Sequence, residues 1–201
     1  MSDRIEELAR AFERFPGIGP RQAKRFVYHL LSSAQADRAR LADLLLNLGS
    51  DVRQCAMCMR FSPANTEGLC SYCADTSRDD ALLMLVEKDQ DLAAVERANA
   101  YRGRYFVLGG VLTLSGKGQI RERELVRVVE ERAKHGLSEI VLALSATSEG
   151  EHTADRIREL LSPLRGSIRL SKLGRGLATG SELEYSDAET LSGALQNRKE
   201  T

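Results

Sequence analysis

Four cysteines in two matched pairs constrain this chain more than any other feature. Cys55-x-x-Cys58 and Cys70-x-x-Cys73 are separated by eleven residues, and there is no fifth cysteine. Thiolates at this spacing can close around one tetrahedral ion at Zn–S distances of about 2.3 Å. All four positions would then be filled by protein, which describes a structural site with no place for a reacting water. The segment is too short to bury a core of its own, so metal-binding energy would act as its folding energy. Asn65 and Gly68 suit the turn between the pairs. Two plainer readings compete: a pair of redox Cys-x-x-Cys motifs, each following a strand and opening a helix, or unconnected buried cysteines. Neither accounts for two matched pairs, so the expectation is one structural zinc per chain, held by Cys55, Cys58, Cys70 and Cys73.

Upstream, from residue 5 to residue 48, apolar residues recur with helical period. Ile5, Leu8, Ala9 and Phe12 share one face of a first helix, which stops at Pro16-Gly17. A second helix begins at Pro20, a favourable first position because proline lacks an N–H that would go unpaired there. Ala23, Phe26, Val27, Leu30 and Leu31 form its apolar side. A third is expected over 37–48, ending at Gly49. The connection Phe15-Pro16-Gly17-Ile18-Gly19-Pro20 has two glycines that allow positive φ and close backbone approach. The first N–H groups of the second helix then point outward, a natural phosphate site. Arg10, Arg14, Arg21, Lys24 and Arg25 surround it, and between residues 10 and 30 only Glu13 opposes them. The whole chain balances 29 Lys and Arg against 29 Asp and Glu, so affinity for nucleic acid must come from such a local patch. Its grip would be on the sugar–phosphate backbone, independent of sequence and sensitive to salt. The plainer reading is an αα-hairpin with a solvated basic face.

Downstream, segments 82–86, 105–108, 140–144 and 168–170 have strand character, and 91–98, 121–134 and 153–161 are helical by period. This alternation implies βαβ units and a mainly parallel sheet flanked by helices. Glu87 closes the first strand at the carboxyl edge, where such sheets bind ligands. The third strand leads into Ser145-Ala146-Thr147, with Glu149 and Glu151 just beyond. The expected fold class is α/β and multi-module. Residues 1–54 would be a helical hairpin region, 55–76 a small zinc finger, 79–173 the sheet domain and 174–201 a C-terminal segment. No apolar run reaches bilayer length, and Met1-Ser2-Asp3-Arg4 opens without the apolar stretch of a secretory signal. A cytosolic location is expected, where thiols stay free to bind metal.

The glycine-bent turn resembles the helix-hairpin-helix DNA-binding motif, and the sheet region resembles the Toprim domain of topoisomerases and primases. In Toprim enzymes a Glu after the first strand acts in acid–base chemistry, and an Asp-x-Asp pair after the third holds magnesium. Here Glu87 is present, and Ser145-Ala146-Thr147 stands where the aspartates would be. Mg²⁺ takes hard oxygen ligands, usually carboxylates. Glu149 and Glu151 could supply some, although their plainer role is to complement the dipole at a helix start.

The module order, with Thr147-x-Glu149-Gly150-Glu151-x-Thr153 and the late run from Arg175-Gly176-Leu177 to Leu183-Glu184, resembles the RecR family of recombination mediators. The resemblance covers essentially the whole chain. It implies a bacterial, cytoplasmic, nucleoid-associated protein that is not an enzyme. DNA would be held by Arg14, Gly17, Gly19, Arg21, Lys24 and Arg25, and a partner would meet the Toprim edge at Glu87, Glu149 and Glu151. The family forms dimers and tetrameric rings, aided by the late Walker-B-like run. It works with RecO and RecF to load RecA onto single-stranded DNA coated by single-strand-binding protein. The chain departs from the family pattern at Ser145-Ala146, where Asn-Pro is usual, and at Ala178-Thr179-Gly180-Ser181, where Pro-Val-Gly-Gly is usual. Gly116-Lys117-Gly118-Gln119 is more basic than the usual version. The alternative function is a metal-dependent Toprim nuclease or primase using Glu87 with Glu149 and Glu151. ATP hydrolysis is disfavoured because the chain has no Gly-x4-Gly-Lys-Ser/Thr phosphate loop.

Overall fold

The computed structural model describes residues 3–64, 68–164, 166 and 168–198. The chain divides into two units, Met1–Val52 and Arg53–Thr201.

The first unit is helical: α1 (Arg4–Glu13), α2 (Pro20–Ser32) and α3 (Gln35–Asp51). Asp3 caps α1 by accepting the Ile5 N–H at 3.0 Å, and Glu6 and Glu7 in the first turn complement the helix dipole. Ala9 and Ala23 are fully buried where α1 meets α2, and Ile5, Phe12 and Ile18 pack around them. The expected stop at Gly49 is not made. α3 runs through that glycine to Asp51, and Val52 closes it by donating its N–H to Leu48. A lone glycine inside a helix costs only about 1 kcal/mol relative to alanine, too little to end one that is otherwise favoured. α3 buries none of its residues, and Leu44, Leu45, Leu46 and Leu48 stand exposed.

The second unit opens with β1 (Val52–Gln54) and β2 (Phe61–Pro63), a two-stranded sheet, and the single-turn helix α4 (Ser71–Ala74). It continues through β3 (Asp79–Val86), α5 (Asp89–Ala98), β4 (Gly103–Val107), α6 (Glu122–Ala133), β5 (Glu139–Ala143), α7 (Ser148–Leu160) and β6 (Arg169–Lys172). The four later strands form one sheet in the order β4-β3-β5-β6, parallel throughout. Side chains alternate across it with the two-residue period of a strand. Leu83, Leu85, Phe106, Leu108, Ile140 and Leu142 meet Leu125, Val128 and Val129 of α6 and Ala154 and Ile157 of α7. Their neighbours Met84, Val86, Tyr105 and Val107 pack against Leu92 and Val95 of α5. Both faces are covered, which is why these strands read as continuous apolar runs.

Boundaries differ from expectation where side chains cap the ends. α7 begins at Ser148 and not at Thr153, because Thr147 accepts the Gly150 N–H at 3.1 Å as N-cap. Arg121 precedes α6 as its N-cap residue and does not belong to the helix. The polar C-terminal region contains a helix that its composition does not announce. α8 (Ala188–Gln196) starts at Asp187, which accepts the Thr190 N–H at 2.9 Å.

One buried polar network lies on the α5 face. The Arg78 guanidinium donates to Glu96 at 2.6 Å, and the Tyr105 hydroxyl donates to the same carboxylate at 2.6 Å. Burial alone would raise the Glu96 pKa, but Arg78 and Tyr105 more than offset it and hold the carboxyl below its ordinary value. A depressed folded-state pKa stabilises the fold above the unfolded value, and that contribution is lost as pH falls through the folded one. Glu96→Gln is therefore expected to be less stable than the parent at neutral pH. It should also lose less stability on acidification from roughly pH 6 to pH 3, as urea titrations across that range would reveal.

Candidate nucleic-acid interface and metal centre

The hairpin between α1 and α2 turns on Gly17, whose φ of +77° lies in the left-handed region. Gly19 is extended, at φ −89°, so only one of the two glycines takes positive φ. Ile18, between them, donates its N–H to Phe15 at 3.1 Å and packs among the helices. No side chain caps α2, Pro20 occupies its first turn, and that turn holds no acid. Its positive dipole end is thus left without a neutralising group. Arg10, Arg14, Arg21, Lys24 and Arg25 are all exposed.

Within residues 10–30 only Glu13 opposes these cations, but an acid from outside that window also reaches them. Glu6 of α1 pairs with Lys24 at 2.7 Å, and this hydrogen bond raises the lysine pKa. The pair is half-exposed, so it offsets the local charge without burying it. Glu6 sits one position from Ile5 on the apolar stripe, at the rim of the helix pair, which is the signal that could have revealed it.

The four cysteines converge. Their sulfurs lie within 4.8 Å of one another, with Cys55, Cys58 and Cys70 buried. Four thiolates around one tetrahedral ion would stand about 3.8 Å apart, given metal–sulfur bonds of about 2.3 Å. Cys58 and Cys70 are 3.5 Å apart, and the Cys70 N–H points at Cys55 Sγ at 3.4 Å. Cys55 is drawn far below the ordinary thiol pKa, chiefly by the hydrogen bond from Cys58. Cys58 is pushed far above it by the same contact. Such crowding suits a shared cation, so the donor set fits a structural metal site. Two separate redox pairs do not describe a single four-sulfur group. Gly68 takes φ +84° in the turn between the knuckles, while Asn65 lies outside the described residues.

The rest of the second unit grips this loop by its backbone. Arg104 donates to the carbonyls of Tyr72 and Cys73 at 3.0 and 3.1 Å, and its Nε donates to Asp80 at 2.7 Å. On the other knuckle, the Val107 N–H donates to Cys58 O at 2.8 Å, and Arg121 donates to Met59 O at 3.2 Å. Nothing in the spacing of these arginines announces that role.

At the carboxyl edge of the sheet, Glu87 is buried and accepts the Ser145 N–H at 2.6 Å. Glu149 lies in the first turn of α7, where its carbonyl accepts from Thr153 Oγ1 at 2.7 Å. Thr153 Oγ1 also accepts the Leu112 N–H at 2.9 Å, tying the loop after β4 to α7. Glu151 pairs with Lys172 at 3.3 Å and with Arg175, and Arg175 reaches Glu189 at 2.6 Å. Thr147, Glu149, Glu151, Arg175 and Glu189 line an open cleft of about 700 Å³. Among the described residues, the four cysteines are the one group of three or more such donors close enough to share an ion. Glu87, Glu149 and Glu151 are not brought together in that way.

Fold and site define a chain that joins a glycine-turned helical hairpin, a four-thiolate centre and a parallel α/β domain of Toprim type. Family models agree: "RecR, helix-hairpin-helix" matches residues 5–48, "Toprim domain" 81–173, and "RecR, C-terminal" 176–199. The chain is 39% identical to a recombination protein RecR of Nocardioides sp., over 99% of this chain and 96% of the relative. It is 38% identical to a recombination protein RecR of Mycobacterium leprae, over 97% and 96%. Against one from Prochlorococcus marinus the identity is 41%, over 94% and 96%. The chain belongs to the RecR family of recombination proteins. Membership implies a part in recombinational repair, and the helix-hairpin-helix module implies DNA binding. Among the described residues no helix is long and apolar enough to cross a membrane.

The Thr147-x-Glu149-Gly150-Glu151-x-Thr153 run now has a local account: a cap, two acids at the helix start, a buried hydroxyl and a glycine in contact with Ser145. A Cβ on Gly150 would stand 2.0 Å from Ser145 O. Because the obstructing atom is backbone, the strand-to-helix loop must shift to admit it. Gly150→Ala is expected to destabilise the fold by about 1–3 kcal/mol, measured by chemical denaturation.

Proposed function

We propose that this protein is a non-catalytic DNA-binding recombination mediator, acting with RecO and RecF to help load RecA onto single-stranded DNA at gaps. The observation that carries the reading is the exposed cationic hairpin around the uncapped start of α2. Arg14, Arg21 and Arg25 contact phosphates, Lys24 joins them by exchanging Glu6 for phosphate, and Gly17 and Gly19 let the backbone approach. Contacts of this kind position DNA without reading bases, which suits a protein that must act at any gap.

The modules we assign are 1–54 for DNA, 55–76 for zinc, 79–173 for the Toprim domain and 174–201 for association between subunits. Zinc is the metal we assign to the four thiolates, because tetrahedral all-sulfur sets favour it. Glu87, Glu149 and Glu151 form the edge that meets a protein partner. Self-association is supported by the exposed leucines of α3 and by the apolar groove that Leu8, Phe15, Leu31 and Leu41 line in the first unit. The protein acts in the bacterial cytoplasm, close to the nucleoid.

The alternative, a metal-dependent nuclease or primase, has less support. Glu87 is engaged by a backbone N–H and Glu151 by two cations, so these acids already serve the architecture.

Two experiments test the reading. Arg21→Ala with Arg25→Ala should weaken duplex binding at least tenfold at physiological salt. The slope of log affinity against log salt should become shallower by about 1.8, since each phosphate contact on duplex DNA contributes about 0.9. Wild-type affinity in the folded variant would remove the hairpin from the mechanism. Separately, metal analysis should find about one zinc per chain. Cys70→Ser should lose that zinc and lower the urea midpoint of the sheet, because Arg104 is anchored on carbonyls of the second knuckle.

A further inference from the structure

A second cationic surface lies in the other unit, beside the cysteine-rich loop and the carboxyl ends of β3 and β4. It is a cleft of about 520 Å³ between the cysteine-rich segment and the β4 side of the sheet, within the size range of small-ligand pockets. Arg60 and Phe61 form one wall, Lys88 and Asp89 another, and Arg121 the floor beside Gly109. Three cations therefore face one acid. Among the described residues, none of the three has a carboxylate at ion-pairing distance. Arg121 donates to the carbonyls of Met59 and Val107, which hold its head without cancelling its charge. Arg60 is stacked 4.5 Å from the Tyr72 ring centroid, which fixes its position. Lys88 is exposed. Asp89 accepts the Phe61 N–H at 3.0 Å, so it also sets the aromatic residue in place.

Phe61 decides what such a surface fits. It is 53% exposed on β2, at the mouth of the cleft. Cations beside an open aromatic ring suit a flexible anion that carries flat rings of its own. In single-stranded nucleic acid the phosphates can meet the cations while an unstacked base lies on the ring. In a duplex the base faces are stacked and closed to it.

We propose that this cleft binds single-stranded DNA, with phosphate on Lys88 and Arg60 and a base stacked on Phe61. The proposal rests on the reading of the protein as a DNA-binding mediator, but not on the hairpin. It gives one chain two nucleic-acid contacts of different kind, one for any backbone and one for unpaired bases.

The test uses the full-length protein and fluorescence anisotropy with a labelled oligothymidylate and a duplex of equal length. Phe61→Ala should weaken single-strand binding about tenfold or more and leave duplex binding unchanged. Lys88→Ala should make the single-strand salt slope shallower by about 0.7. Metal content and circular dichroism of both variants should match the parent. A single strand carrying 5-iododeoxyuridine should crosslink under ultraviolet light to a peptide containing Phe61. Parent-like single-strand affinity in folded, metal-loaded Phe61→Ala would overturn the proposal, as would crosslinks confined to other peptides. Equal losses for single strand and duplex would make the cleft a general anion surface and overturn it too. So would tight binding of a phosphorylated peptide by the cleft with single-strand affinity unmoved. Failure of the hairpin reading is distinguishable, because it would appear as parent-like duplex affinity in the Arg21→Ala, Arg25→Ala variant.

Discussion

Arg104 joins the two parts of the second unit that have least reason to stay together. Its side chain is almost wholly buried, and its guanidinium spans from Asp80 at the start of β3 to the carbonyls of Tyr72 and Cys73. A buried guanidinium left without acceptors would be costly, so the site holds only when the second cysteine knuckle is folded. Asp80 in turn is held below the ordinary carboxylate pKa, chiefly by its hydrogen bond from Arg104. Arg132 reaches the same oxygen at 3.3 Å. The metal loop, the first strand of the sheet and α6 therefore share one charged junction.

The carboxyl edge illustrates how residues of an enzyme-like fold can serve another end. Glu87 receives a backbone N–H, Thr153 fixes a loop, and Glu151 draws Arg175 and hence the C-terminal run against α7. Each group is engaged by the chain itself. Among the described residues, exposed cations without a carboxylate partner lie elsewhere, at Arg21 and Arg25 of the hairpin and at Lys88 near Phe61. A chain of zero net charge thus still exposes local clusters of cations, because its acids and bases are unevenly distributed along it.

The strand-length apolar runs, the helical period of α1 and α2, and the cysteine spacing were all readable from the sequence, because each is a local pattern. The alternation of strands with helices read correctly as a parallel sheet flanked by helices, and apolar runs such as Leu82 to Val86 fit its covered faces. What could not be read was set by distant partners. Gly49 carries the signature of a helix end, but the chain continues because nothing nearby competes for its backbone. Lys24 looked free because Glu6 lies eighteen positions earlier. Arg104, Arg121 and Arg127 look like ordinary surface cations, yet they donate to carbonyls thirty to seventy residues away. The last helix escaped notice because its weak apolar pattern follows a glycine-rich run.

Met59 belongs to the cysteine-rich loop, lies between two knuckle residues and Arg60 in sequence, and takes a φ of +60°. Its side chain nonetheless enters the main apolar core beside Leu83, Phe106 and Leu108. The interior of the sheet is therefore sealed by a plug that the metal loop carries. The cysteine loop and the sheet thus share one apolar interior, and a change that displaced the loop would open that interior to water.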